Sequence, residues 1–127
     1  MPSRGCDEAG QATVELALAL PLMAVILAAL FEVGMIGLDQ LRLWHAAREA
    51  SRTAAVNADT REIEEAAARG GLSPLDIEID PETFRRTSGE PVTVELAYHP
   101  EGSVPLIGDV FEGLTLSASA TMRIERP

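Results

Sequence analysis

Hydrophobic positions are distributed unevenly along the 127-residue chain. Leu16 to Phe31 contains no polar or charged side chain, and beyond Glu32 the apolar run continues to Leu38. As an α-helix, the 23 residues from Leu16 to Leu38 extend about 34 Å, enough to cross a hydrocarbon layer of about 30 Å. Pro21 falls early in the run, where its missing N–H is better tolerated in a membrane helix than in a soluble one. No Gly or Pro occurs from Asp39 to Arg69, so the same helix is expected to leave the membrane and run over residues 11–58. Ala46, Ala50, Ala54 and Ala58 recur every four residues, with Ala47, Ser51 and Ala55 beside them. Such a stripe of small side chains lets another backbone approach closely, within the chain or from a neighbouring subunit. Arg42, His45, Glu49 and Arg52 fall on the opposite side and read as a solvated face, with weak pairs His45–Glu49 and Glu49–Arg52.

After Ala58 the periodicity changes. Asp59 with Glu62 three residues on has the spacing of a capping box for a short helix running to Arg69, and Gly70 and Gly71 stop it. Three stretches then alternate with period two. Leu75, Ile77 and Ile79 alternate with Asp76, Glu78 and Asp80; Val92, Val94, Leu96 and Tyr98 alternate with Thr93, Glu95, Ala97 and His99; a third run spans Leu114 to Glu125. Prolines and glycines punctuate both connections. A small sheet with one apolar face needs a cover, and the Leu41, Trp44 and Ala47 side of the long helix is the nearest candidate. The expected fold class is α+β: a long N-terminal helix, membrane-spanning in its first half, with a mostly antiparallel three-stranded sheet packed on its second half.

Composition narrows the function. Ten arginines and no lysine face 20 Asp plus Glu, a net charge of -10, which disfavours nucleic acid by repulsion. The single cysteine, Cys6, cannot close an intrachain disulfide. The sequence contains no Gly-rich phosphate loop, no G-x-S-x-G and no H-E-x-x-H. His45 and His99 read as surface imidazoles, and Asp76, Glu78 and Asp80 as a solvated face lacking the spacing of a calcium loop. Neither catalysis, a metal, a cofactor nor a small-molecule substrate is expected.

A cleavable secretory signal fits poorly, because the start carries one arginine and two acids and the apolar run is too long. Orientation is contested within the sequence: Arg42, Arg48 and Arg52 follow the apolar run whereas only Arg4 precedes it, so the positive-inside count puts the C-terminal side in the cytoplasm. A carboxylate at mid-bilayer costs about 2.5 to 3.5 kcal/mol. Glu32 lies about 25 Å along the helix from Glu15, so with Glu15 at one interface Glu32 is expected to snorkel at the other.

Gly10-Gln-Ala-Thr-Val-Glu15, followed by the apolar run, resembles the prepilin peptidase site of type IV pilins. Together with Leu16 to Pro21 and the segment Ala46-Ala-Arg-Glu-Ala-Ser-Arg-Thr-Ala-Ala-Val56, it resembles the TadE-like family of Tad (Flp) pilus systems. The resemblance covers the first 56 residues. It implies a leader of residues 1–10, a membrane peptidase cutting between Gly10 and Gln11, a helix of 11–58 spanning the membrane over 16–38, and an extracytoplasmic head of 59–127. It also implies that the Glu15 carboxylate pairs with the new amino terminus of Gln11 on a neighbouring pilin or pseudopilin subunit and sets axial register. Pairing with its own amino terminus, or cyclisation of Gln11, are the alternatives. The leader is short of basic residues, and Leu16 stands where the major pilins carry an aromatic. The size, with a folded head, points to a minor pseudopilin or assembly factor at the plasma membrane. An unprocessed single-pass anchor whose head binds a partner or cell-wall component is the other reading.

Overall fold

The computed structural model describes residues 5–82, 85–102, 108–111 and 113–125, with side chains from residue 10 onward. The first element, α1, is one α-helix, Gly5–Val56, that continues without a break through Gly10 and Pro21. It ends two residues before the expected Ala58. A second helix, α2 (Thr60–Ala68), and strands β1 (Asp76–Asp80), β2 (Pro91–Tyr98) and β3 (Leu116–Arg123) follow, with a 3-10 turn at Gly108–Phe111 between the last two strands. The third strand begins at Leu116, with Leu114 still 37% exposed ahead of it.

The strands form one antiparallel sheet in the order β1-β2-β3, with Ile77 opposite Leu96 and Val94 opposite Ala120. The alternation read from the sequence is the alternation of burial: Val92, Val94 and Leu96 are each 0% exposed, while Glu95 between them is exposed. The apolar face packs on the C-terminal half of α1. The Gln40 side-chain amide donates to the Ser117 carbonyl (2.9 Å), and the Glu125 N–H donates to the Ala55 carbonyl (2.8 Å). Helix and β3 therefore run parallel between these two ties, over about 22 Å of helix axis.

The covering face of α1 differs from the expected one. Leu43, Ala46, Ala47, Ala50 and Ala54 are 0 to 2% exposed, whereas Leu41 and Trp44 remain 59% and 53% exposed. Leu43 points under the sheet, and the small residues that follow it at three- and four-residue spacing let the sheet sit close to the helix axis. Trp44 and Leu41 fall on the flank because a face chosen for its bulk is not the face with the shortest approach. The solvated side carries Arg42, His45, Glu49 and Arg52 as read from the sequence, but the pairing is different: Arg42 meets Asp39 at 3.2 Å, and Glu49 meets Arg69 at 3.6 Å.

The turn into α2 uses Asp59 as its N-cap, although not as a capping box. The Asp59 carboxylate accepts from the Arg61 N–H (3.0 Å), the Asn57 side-chain carbonyl accepts from the Asp59 N–H (2.9 Å), and Glu62 binds the Asn57 amide (2.6 Å). Two Asx contacts thus replace the reciprocal Glu–backbone bond, because Asn57 reaches both groups first. Ile63, Ala66 and Ala67 bury the inner side of α2. At its end Gly70 lies against α1; a Cβ there would come within 2.9 Å of the Ala46 Cβ. The loop after β1 is held by Arg86, 7% exposed, whose Nε donates to the Pro81 carbonyl (3.2 Å) and whose Nη1 reaches the Asn57 carbonyl (3.4 Å). Burial of the guanidinium lowers its pKa below the usual arginine value.

Candidate functional site

The N-terminal half of α1 differs from the rest of the described chain in the long, unbroken run of apolar side chains that it leaves uncovered. Leu16, Leu18, Leu20, Leu22, Leu27, Leu30 and Phe31 are 56 to 75% exposed. The helix is long and apolar enough to cross a membrane, and its most apolar stretch is wholly unburied by the rest of the chain. A helix that is hydrophobic on all sides and packs against nothing in its own chain is suited to lipid or to other helices. Leu38 is 49% exposed and belongs to this apolar surface, although the head already covers the opposite side of α1 at that level.

At the start of this segment Gly10, Gln11, Val14, Glu15 and Leu18 line one shallow groove along the helix. Gln11 and Glu15 stand one turn apart on the same face. The carboxylate is exposed to the surroundings of the helix, and nothing else in the described chain folds over it. A charge placed there can meet an amine on the same turn or on an adjacent helix, and both routes remain geometrically open. Nothing crowds Gly10: an added Cβ would find no atom within 4 Å.

The second carboxylate behaves otherwise. Glu32 is 2% exposed and is engaged by the fold, whereas the snorkelling expectation has its carboxylate reaching out into water. The reason is positional. The buried stripe Ala54, Ala50, Ala47, Leu43, with Ile36 partly covered two turns below, continues N-terminally at three-, four- and seven-residue steps onto Glu32. That periodicity was available in the sequence, and reading the stripe downward from Ala54 would have placed Glu32 beneath the head. Ala46, Ala47, Ala50, Ser51, Ala54 and Ala55 are themselves 0 to 6% exposed within the single chain, so this stripe is filled by intrachain packing, and the Ser51 hydroxyl donates to the Arg48 carbonyl (2.9 Å).

His45 lies exposed on α1 and His99 exposed just past the end of β2, the latter sharing a 3.1 Å hydrogen bond with the Thr115 hydroxyl. Among the described residues no three His, Cys, Asp or Glu side chains gather as a metal site. A cleft of about 730 Å³ runs along the outer edge of β1, bordered by Glu78, Asp80, Glu82 and Glu95 with Arg86. Thr60 and Thr93 also line it, and no imidazole stands among its lining residues.

Residues 10–52 match the family of TadE-like proteins. This segment is TadE-like. The TadE-like segment begins at Gly10 itself and ends four residues before α1 does, so it takes in the uncovered apolar half and most of the half beneath the sheet. The sheet lies outside the match. No curated protein and no solved structure matches the chain. TadE-like proteins are associated with Tad pili, and the single long apolar helix is consistent with a membrane anchor.

Proposed function

We propose that the chain is a minor pseudopilin or assembly factor of a Tad (Flp) type pilus or secretion system, anchored through α1 and cut after Gly10 by a prepilin peptidase. The observation that carries this reading is the coincidence of three features in one TadE-like helix: Gly10 five residues before Glu15, an apolar stretch uncovered on all sides, and fully buried side chains that begin only at Glu32. With the base of the head resting on the outer membrane surface, Glu15 lies about 25 Å below Glu32, inside a hydrocarbon layer of about 30 Å. An unpaired carboxylate costs about 2.5 to 3.5 kcal/mol at the centre of such a layer and less towards its edge, where Glu15 falls. Cleavage between Gly10 and Gln11 supplies the compensating charge, since the new ammonium group of Gln11 lies on the face that carries Glu15. On a neighbouring subunit, the same two groups fix the axial offset between helices. The chain works by positioning, with other pilin or pseudopilin subunits and the peptidase as partners and the head outside the cytoplasm.

The test is the intact mass and N-terminal sequence of the full chain expressed in membranes with and without the peptidase. A start at Gln11 that depends on the peptidase supports the proposal. The second reading, an unprocessed anchor whose head binds a partner or cell-wall component, draws on the excess of arginines following the apolar run; a start that stays ahead of Gly10 in both samples establishes it.

A further inference from the structure

Among the described residues no further strand pairs with either edge of the sheet, and the two edges differ in charge. Antiparallel pairs alternate between hydrogen-bonded and non-hydrogen-bonded residues. Ile124 bonds towards the β2 side, donating to the Glu90 carbonyl and accepting from the Gly89 N–H, each at 2.8 Å. The alternation therefore turns the backbone groups of Ser117, Ser119, Thr121 and Arg123 away from β2, and the bond from Gln40 to the Ser117 carbonyl confirms the direction. By the same count Ile77 and Ile79 turn their backbone groups outward from β1. Ser117 to Thr121 carries no charge, no proline and no bulge, the usual devices that keep an edge strand from pairing.

The flank of α1 beside this edge is not an ordinary solvated surface. Measured round the helix from Gln40, Trp44, Arg48 and Arg52 stand at about 40°, 80° and 120° on one side, while α2 occupies the other, at Ala46. Trp44, the only tryptophan, is 53% exposed there. Arg48 and Arg123 form no ion pair among the described residues, so two free cations of a strongly acidic chain lie on the β3 side of the head, with Arg52 further round the helix. The β1 side is the reverse. Asp76, Glu78 and Asp80 face solvent, Glu78 is the direct register partner of Glu95, and none of the four has an ion pair among the described residues. Like charges directly opposite each other repel. The clefts there, about 730 and 530 Å³, meet at Ile77 and leave the edge recessed.

We propose that a second copy of the chain docks here, the β1 edge of one head pairing with the β3 edge of the next and extending the sheet from copy to copy. Arg123, on the outer face of β3, then approaches the outer-face carboxylates of the neighbouring β1, and Trp44 on the flank of α1 is covered. Polarity agrees: β1 and β3 are both antiparallel to β2, so copies anchored in one membrane through parallel helices meet β1 to β3 in parallel. That last step rests on the membrane-spanning reading of α1. A two-fold β3–β3 pair with antiparallel strands would turn the two anchors in opposite directions.

The test uses the full chain in membranes with Cys6→Ser, carrying Glu78→Cys, Ser119→Cys, or both, under mild oxidation. Both new thiols lie on the outer face of the sheet. Ladders of dimer, trimer and longer species from the double variant, with little product from either single variant, are the expected result. Arg48→Glu with Arg123→Glu should lower that yield about tenfold, and Trp44 fluorescence should move to shorter wavelength as copies assemble. A dimer from Ser119→Cys alone, disulfides to another polypeptide, or no disulfide together with unchanged Trp44 emission overturns the proposal. None of these readouts depends on cleavage after Gly10, so this inference and the processing of the chain fail or stand separately.

Discussion

Leu27 and Leu43 occupy the same helix, and one is 63% exposed while the other is 0% exposed. Their local environments in sequence explain the difference. Leu27 lies in a run with no polar side chain on any face, so no direction around the helix is marked as inward. Leu43 lies where charges occupy one side, at Arg42, His45 and Glu49, and small residues the other, at Ala46, Ala47 and Ala50. The lower half of α1 leaves its surface for lipid or other helices, and the upper half uses its surface to organise a sheet. A single backbone element thus carries two kinds of packing, with the change at Glu32.

The comparison is broken most severely by truncating one leucine from each half. Leu43→Ala removes a fully buried side chain beneath the sheet and is expected to destabilise the head by about 2 to 5 kcal/mol. Leu27→Ala should leave head stability unchanged, because the head does not touch it. Hydrogen exchange of the β2 amides in membrane-reconstituted protein reads the opening free energy of the sheet directly. Equal loss of protection in the two variants would mean that the lower half also supports the head.

The two carboxylates sharpen the contrast. Glu32→Gln leaves a buried, engaged site with one acceptor fewer, and the head should lose about 1 to 3 kcal/mol. Glu15→Gln should not change exchange in the head, while the proposed assembly role makes it the variant that loses incorporation with partner subunits. Protection of β2 and recovery of the chain in a sheared or secreted assembly fraction are the paired measurements. A stable head with Gln at position 32 would show that the burial of Glu32 contributes nothing to folding.

Much of this architecture was legible because it rests on short-range pattern. The unbroken helix, the α+β class, the three alternating strands and the match of Gly10 to Arg52 with TadE-like proteins all follow from spacing along the chain. The side of α1 that the sheet chooses was less legible. Leu41 and Trp44 are the larger apolar residues, yet close approach favours the alanine side and leaves Trp44 on the flank. Arg86 was missed altogether, since the carbonyls of Pro81 and Asn57 that hold it are brought together only by the fold. Glu32 fell between the two cases: its role depends on which half of the helix it belongs to, and the apolar run extends beyond it on both sides.

The smallest effect lies at the seam between the regions, where β2 ends beside α1. Tyr98, the only tyrosine, has its pKa raised above the ordinary value of 10.0, first by burial and then by the negative charges of Asp39 and Glu101, with Arg42 opposing. The folded head therefore holds the phenolic proton more tightly than the unfolded chain does. This contribution to stability is fully present below pH 10.0, the unfolded value, and is lost as the pH rises through the higher folded value. Titrating tyrosinate absorbance in the folded and the denatured chain should give a higher midpoint for the folded one. Asp39→Asn should bring the folded midpoint part of the way down, because it removes a negative charge and releases Arg42 from its 3.2 Å contact, while the larger effect of burial persists. A midpoint that returns fully to the denatured value in this variant would show that charge on α1, and not cover by the head, governs the seam.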